Sequence, residues 1–182
     1  QSHLSRAHLG VELKHDRDVV LGQSVTLLQA LVDVISSNGW LAPALNAMEL
    51  CQMVVQGLWH TDHALLQIPH VDEDTLKRAA ERDVDLATVF DILDLDDAVR
   101  DAILDVAPDE LADIADWCND FPNIDLAYDV DDPDDVEAGE PVSVRVTLDR
   151  EVDDDMTEIG KVRAHRFPGT KKEGWWLVVA DV

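Results

Sequence analysis

Three histidines, His60, His63 and His70, offer the plainest metal-ligand chemistry in the chain. His60 and His63 stand three residues apart, which would place two imidazoles on one helical face. A complete site would draw a further ligand from Asp62 or His70. The pattern has neither HExxH nor CxxC, so loop histidines beside Trp59 are the simpler reading. Asp129, Asp131 and Glu140 fall on the first, third and twelfth places of a calcium-loop count. The sixth place, which needs Gly for the sharp turn, is Asp134, and Pro133 precedes it. A solvated hairpin turn is expected there. The run Asp153-Asp154-Asp155 pairs carboxylates without the pocket that would shift their pKa values for acid/base work. Ser36 and Ser37 end a helical pattern and read as local cap groups, not nucleophiles. The residues therefore predict no catalytic residue, no cofactor and no metal.

Composition narrows the remaining choices. The 182 residues carry 39 acids against 14 bases, a net charge of −25. A groove for nucleic acid needs Lys and Arg to displace counterions from phosphates. This surface would repel a polyanion unless its few bases were gathered on one face. With 46% hydrophobic residues the chain can build a core. No apolar run long enough to span a bilayer is expected, and no secretory signal at QSHLSRAH. The chain begins abruptly in what reads as helix, as a piece of a longer polypeptide would. Cys51 and Cys118 lie far apart in apolar helical patterns and read as buried, reduced thiols of a cytosolic or nuclear protein.

The elements that must position these side chains follow from periodicity. Residues 1–9 read as a helix end stopped near Gly10. From Val19 to Ser37 apolar residues recur at threes and fours, predicting a long amphipathic helix capped by Asp16 or Asp18 and stopped by Asn38-Gly39. Pro43 suits the first turn of a helix running to about Trp59, with a wide apolar set that predicts a mostly buried rod. Asp72 caps a helix from Glu73 to Glu81. Val89–Leu93, Asp96–Leu104 and Pro108–Asn119 follow as short helices that need packing to be stable. After Pro122 the period changes to two. Ile124–Val130, Val142–Leu148 and Trp175–Val179 read as strands, with Val162–Phe167 a weaker fourth. The predicted class is α+β. A helical bundle (1–71) precedes a helix-loop-helix cluster (72–121) and a partial immunoglobulin- or fibronectin-like β-sandwich (122–182). Neighbouring Trp175 and Trp176 would point to opposite faces of a strand, one into the core and one toward the helices or a partner. Trp40 and Trp59 end helices and are expected to wedge the bundle.

Taken in order, HLSR (His3–Arg6), SSNGW (Ser36–Trp40), AMEL (Ala47–Leu50), QGLW (Gln56–Trp59), PNIDLAY (Pro122–Tyr128) and EGWW (Glu173–Trp176) resemble the Sec-63-like C-terminal unit of the large spliceosomal DExH-box RNA helicases. The resemblance covers nearly the whole chain. The related helicases of ribosome rescue and transcription coactivation share parts such as HLSR. The resemblance implies a non-catalytic unit of the C-terminal cassette that braces the helicase and docks splicing proteins in the nucleus. Its implied partners are the upstream helicase domains and spliceosomal proteins, including the large central scaffold. The motor motifs, and any GxxxxGK phosphate loop followed by Ser or Thr, are absent from these residues. By the resemblance Val19–Ser37 matches the ratchet helix, which in active relatives lies beside the single strand. The matching positions Ser24–Gln29 carry no Lys or Arg, so weak or no RNA binding is expected. Ser24, Thr26, Gln29 and Trp176 are the candidate partner- or RNA-facing residues. Two readings stay beside this one: a motor accessory unit contacting unwound RNA directly, and the equivalent unit of a helicase outside splicing.

Overall fold

A computed structural model describes residues 1–131, 134, 137–152 and 160–180. The Asp153-Asp154-Asp155 run and Pro133 lie outside the described residues. Six α-helices are described: α1 Val11–Ser37, α2 Leu41–Gln56, α3 Glu73–Ala80, α4 Val89–Leu93, α5 Asp97–Leu104 and α6 Pro108–Asn119. A 3-10 turn at Ala64–Gln67 follows α2. Four short strands complete the set: β1 Ile124–Val130, β2 Val144–Arg150, β3 Lys161–Val162 and β4 Lys171–Lys172. The chain divides into two units, one of residues 1–118 with 160–182 and one of residues 119–159.

α1 begins at Val11, eight residues before the expected start. Gly10 sits at its N-cap without a side-chain cap, and the Lys14 amide donates to the Gly10 carbonyl at 2.9 Å. Asp16 and Asp18 are therefore inside the helix and do not cap it. Asp18 instead accepts from Arg17, at 3.0 Å from Nε and 2.7 Å from Nη2. Residues 2–6 form turns, not the helix end expected there. The stop is as read: Asn38 Nδ2 donates to the Val34 carbonyl at 2.7 Å, and Gly39 takes φ +71°.

α1 and α2 form an antiparallel pair. Leu21, Val25 and Val32 of α1 are buried, and so are Ala44, Ala47, Cys51 and Val55 of α2. Alanines on the α2 face let the backbones approach closely. The rest of α2 is less buried than its apolar content predicted, with Leu45 and Leu50 on the surface. Gly57, left-handed at φ +65°, ends α2 two residues before Trp59. By length and composition α1 is apolar enough to cross a membrane. That corrects the expectation that no such run exists: the polar residues Gln23, Ser24, Thr26 and Gln29 do not outweigh its Val and Leu content.

The short helices are held by reciprocal side-chain caps. Asp72 accepts from the amides of Asp74 (3.0 Å) and Thr75 (2.9 Å) at the start of α3. These bonds, the Thr75 amide first, hold its carboxyl below the usual carboxylate range. Asp91 does the same for α4, accepting from the amides of Ala87 and Thr88. Arg78 ties α3 to α5: Nε donates to the Ile103 carbonyl at 2.6 Å and Nη2 to the Leu104 carbonyl at 2.7 Å. Those are orphan carbonyls at a helix C-terminus, where a cation also meets the negative end of the dipole.

β1 and β2 pair antiparallel with Leu126 opposite Leu148, Tyr128 opposite Val146 and Val130 opposite Val144. β3 and β4 form a second, two-residue antiparallel pair. Among the described residues the β structure is these two small antiparallel pairs and closes no sandwich. Trp175–Val179, expected as a strand, has no ladder partner among the described residues. Trp176 alone packs on the α1–α2 pair, while Trp175, Leu177, Val178 and Val179 are exposed. Only the first residue of Val162–Phe167 is in a strand, and its partner Lys171–Lys172 carries no alternating pattern to announce it.

Replacing Arg78 with Ala should destabilise the chain by about 1–3 kcal/mol, because two buried-end carbonyls lose a charged donor. Urea unfolding of the R78A chain checks this; an unchanged midpoint would contradict it. Asp72 binds its proton less readily when folded than when unfolded. Its contribution is therefore complete above the unfolded carboxylate pKa and fades as pH falls through the lower folded value. The D72A chain should lose about 1 kcal/mol near neutrality and less in acid, measured as the unfolding midpoint against pH.

Candidate protein-docking surface

α1 is buried along one narrow stripe and open along another. Leu13, Val20, Leu27 and Val34 recur every seven residues, with Leu31 one turn beyond Leu27. All five are exposed, Val20 at 65% and Leu27 at 70%. At 3.6 residues per turn they form a stripe roughly 125° around the helix from Leu21, Val25 and Val32. A contiguous exposed apolar stripe marks an interaction surface more than a solvent surface. No Lys or Arg follows Arg17 anywhere in α1 or α2.

The candidate residues fall on different parts of this rod. Ser24 borders the open stripe, half-buried, and its hydroxyl donates to the Leu21 carbonyl of its own helix at 2.8 Å. Thr26 is exposed and Gln29 half-buried. These two lie about 60° apart, and Ser24 sits about 140° or more from both. The structure therefore does not bring the three onto one face. Trp176 is half-buried and packs on the cluster of Val25, Cys51 and Val55, as do Val162, Ala164 and Phe167. Trp175 is 58% exposed. The pair splits inside against outside as neighbouring extended residues do.

Trp40, expected to wedge the bundle, is instead 57% exposed at the N-terminus of α2. It lines a hollow of about 480 Å³ together with Val32, Met48, Trp176 and Val179. Pattern reading missed this because a tryptophan at a helix boundary gives no clue to its side.

The histidines take separate local tasks. His63 Nδ1 accepts from the Leu65 amide at 3.3 Å and caps the 3-10 turn. His70, at φ +61°, lies 2.9 Å from Asp113 and 3.5 Å from Glu110 on α6. His60 is exposed. Among the described residues no three His, Cys, Asp or Glu side chains converge as a metal set. Asp129 and Asp131 fall at the end of β1 and just after it, where the Asp131 amide donates to the Ser143 carbonyl at 3.0 Å. Cys51 and Cys118 are buried free thiols. Burial pushes Cys118 up to about 11 and raises Cys51 as well, the latter opposed in part by Lys171. Neither is poised as a nucleophile at neutral pH.

The Sec63 Brl domain family matches residues 1–182. The U5 small nuclear ribonucleoprotein 200 kDa helicase of Homo sapiens is 46% identical over 181 residues, covering 100% of this chain. The DExH-box ATP-dependent RNA helicase DExH12 of Arabidopsis thaliana is 47% identical over 182 residues. An activating signal cointegrator 1 complex subunit 3-like protein of Dictyostelium discoideum is 36% identical over 188. The chain spans 8% of the length of each of these relatives. It belongs to the Sec63 Brl domain family and is a non-catalytic accessory module of the kind carried by DExH-box helicases, spliceosomal and other.

Trp176→Ala should cost about 2 kcal/mol, since it uncovers a half-buried contact, and should open Cys51 to thiol reagents. Native-state thiol titration of the W176A chain checks this. Two protected thiols, as in the unsubstituted chain, would contradict the packing role.

Proposed function

From membership of the Sec63 Brl family, we propose that this chain serves in a spliceosomal DExH-box RNA helicase, in the nucleus, during pre-mRNA splicing. It braces the helicase cassette and docks splicing proteins. The observation that carries this reading is the open heptad stripe of α1. Five large apolar side chains on a rod without cations past Arg17 suit a protein face, not a phosphate backbone. Relatives of which this chain spans 8% supply ample polypeptide to cover it. The upstream helicase domains are the occupant we assign to that stripe, and the module is their brace. Docking of splicing proteins, the large central scaffold among them, falls to surfaces that the brace leaves open, with Trp175, Trp40 and the acidic exterior favouring basic protein partners.

The spliceosomal assignment is supported by identities of 46% to 47% to the human and Arabidopsis helicases, against 36% to the coactivator-type relative. Ser24, Thr26 and Gln29 fill the ratchet position of α1, expected over 19–37, with neutral groups, so direct RNA contact there is weak. The β1–β2 pair fits the opening of an immunoglobulin-like sandwich. Leu126, Tyr128, Val144 and Leu148 are exposed on it, and further strands of the same polypeptide would cover that face.

In the full-length polypeptide, Leu27→Glu with Leu31→Glu should release the module from the preceding cassette, seen as new protease cleavage between them. In the 182-residue chain alone the same changes should alter stability by less than about 0.5 kcal/mol, because both residues are already exposed. Unchanged cleavage in the long protein would refute the brace. For RNA, filter binding of single strands by this chain should be weak, and tight salt-sensitive binding that depends on Ser24, Thr26 and Gln29 would refute the neutral ratchet.

A further inference from the structure

The bases of this acidic chain are not spread evenly. Arg6, Lys14, Arg17 and Arg166, four of its 14 Lys and Arg, line one hollow of about 500 Å³ beside the start of α1. Among the described residues two acids form ion pairs with them. Asp62 pairs with Arg6 at 2.8 Å, and Asp18 pairs with Arg17 at 2.7 Å. Among the described residues, Lys14 and Arg166 have no acidic partner within ion-pair reach. Arg166 Nη1 is buried with no hydrogen-bond acceptor. A guanidinium on the wall of a hollow, with no carboxylate in ion-pair reach, is a charge that an anion in the hollow would balance.

The surroundings hold that guanidinium in place. His3 Nε2 donates to the Val54 carbonyl at 3.0 Å and forms one wall. Gly57 closes α2 over Arg166: a Cβ there would lie 3.1 Å from Arg166 Cβ and Cδ and 3.3 Å from His3 Cε1. With φ +65° as well, the position has both the space and the conformation of glycine. His3 and His165 both stay neutral at pH 7. Desolvation lowers each, and neighbouring cations add to it, taking His165 to about 4. The positive field is thus carried by Lys and Arg and does not vary across the neutral range.

We propose that this hollow is an anion site that takes the phosphates of a compact oligophosphate-bearing molecule. Arg forks match phosphate oxygens bidentately, and Lys14 adds a mobile point charge at the mouth. The ligand is compact because the volume is that of a small-molecule site and the remaining surface, at net charge −25, repels a long polyanion. The site shares no lining residue with the open stripe of α1 and does not depend on which helicase carries the module.

Calorimetry of the full chain with tripolyphosphate and pyrophosphate, against sulfate at matched ionic strength, tests the proposal. Saturable binding of one tripolyphosphate, tighter than sulfate, is expected. R166Q and K14Q should each weaken it by about tenfold, the loss of one charge-assisted contact. Lys14 is exposed, so K14Q should keep the native unfolding midpoint even if R166Q does not. Binding no tighter than sulfate, or unchanged in K14Q, would overturn the site. A single-stranded RNA dodecamer that binds tighter than tripolyphosphate and is lost in K14Q would overturn the compact ligand and give the hollow to a strand.

Discussion

One helix pair organises the larger unit. α1 buries Leu21, Val25 and Val32 against a face of α2 built from Ala44, Ala47, Cys51 and Val55. Small residues on one side and branched ones on the other bring the rods close along a single seam. A 27-residue helix with one seam must leave much of its circumference open. On α1 that open part is apolar along Leu13, Val20, Leu27, Leu31 and Val34. Trp176, near the end of the described chain, rests on the same seam at Val25, Cys51 and Val55.

Charge then divides the surface by task. α1 beyond Arg17 and all of α2 hold no Lys or Arg. The short helices spend their acids on caps, as at Asp72 and Asp91, and one cation, Arg78, on joining α3 to α5. Three bases from the first seventeen residues meet Arg166, far along the chain, at one end of α1. An apolar rod for protein and a confined cationic hollow for a small anion are compatible in one strongly acidic module, since neither asks the whole exterior to attract a polyanion.

Much of this was legible from residues alone. Asn38-Gly39 ended α1, Asp72 began α3, and Pro108-Asp109-Glu110 began α6, because caps and stops are local chemistry. β1 was read to its limits from its alternation, and the two thiols from their apolar settings. The start of α1 was missed because Gly10 provides no side-chain cap, while Asp16 and Asp18 imitate one. Trp175–Val179 imitates a strand, since an apolar run cannot say whether it will pair with a strand or lie on helices. The basic hollow was invisible for a different reason: Arg6, Lys14 and Arg17 come within a dozen residues, but Arg166 joins them only through the fold. Ser24, Thr26 and Gln29 share a segment of sequence but not a face.

The central claim is that the open stripe of α1 is covered by preceding helicase domains of the same polypeptide. A cysteine placed at Leu27 reports on it directly, by its rate of alkylation in the 182-residue chain and in the full-length protein. The account predicts fast labelling in the chain alone, where Leu27 is 70% exposed, and strong protection in the full-length protein. Equal, fast labelling in both would contradict it.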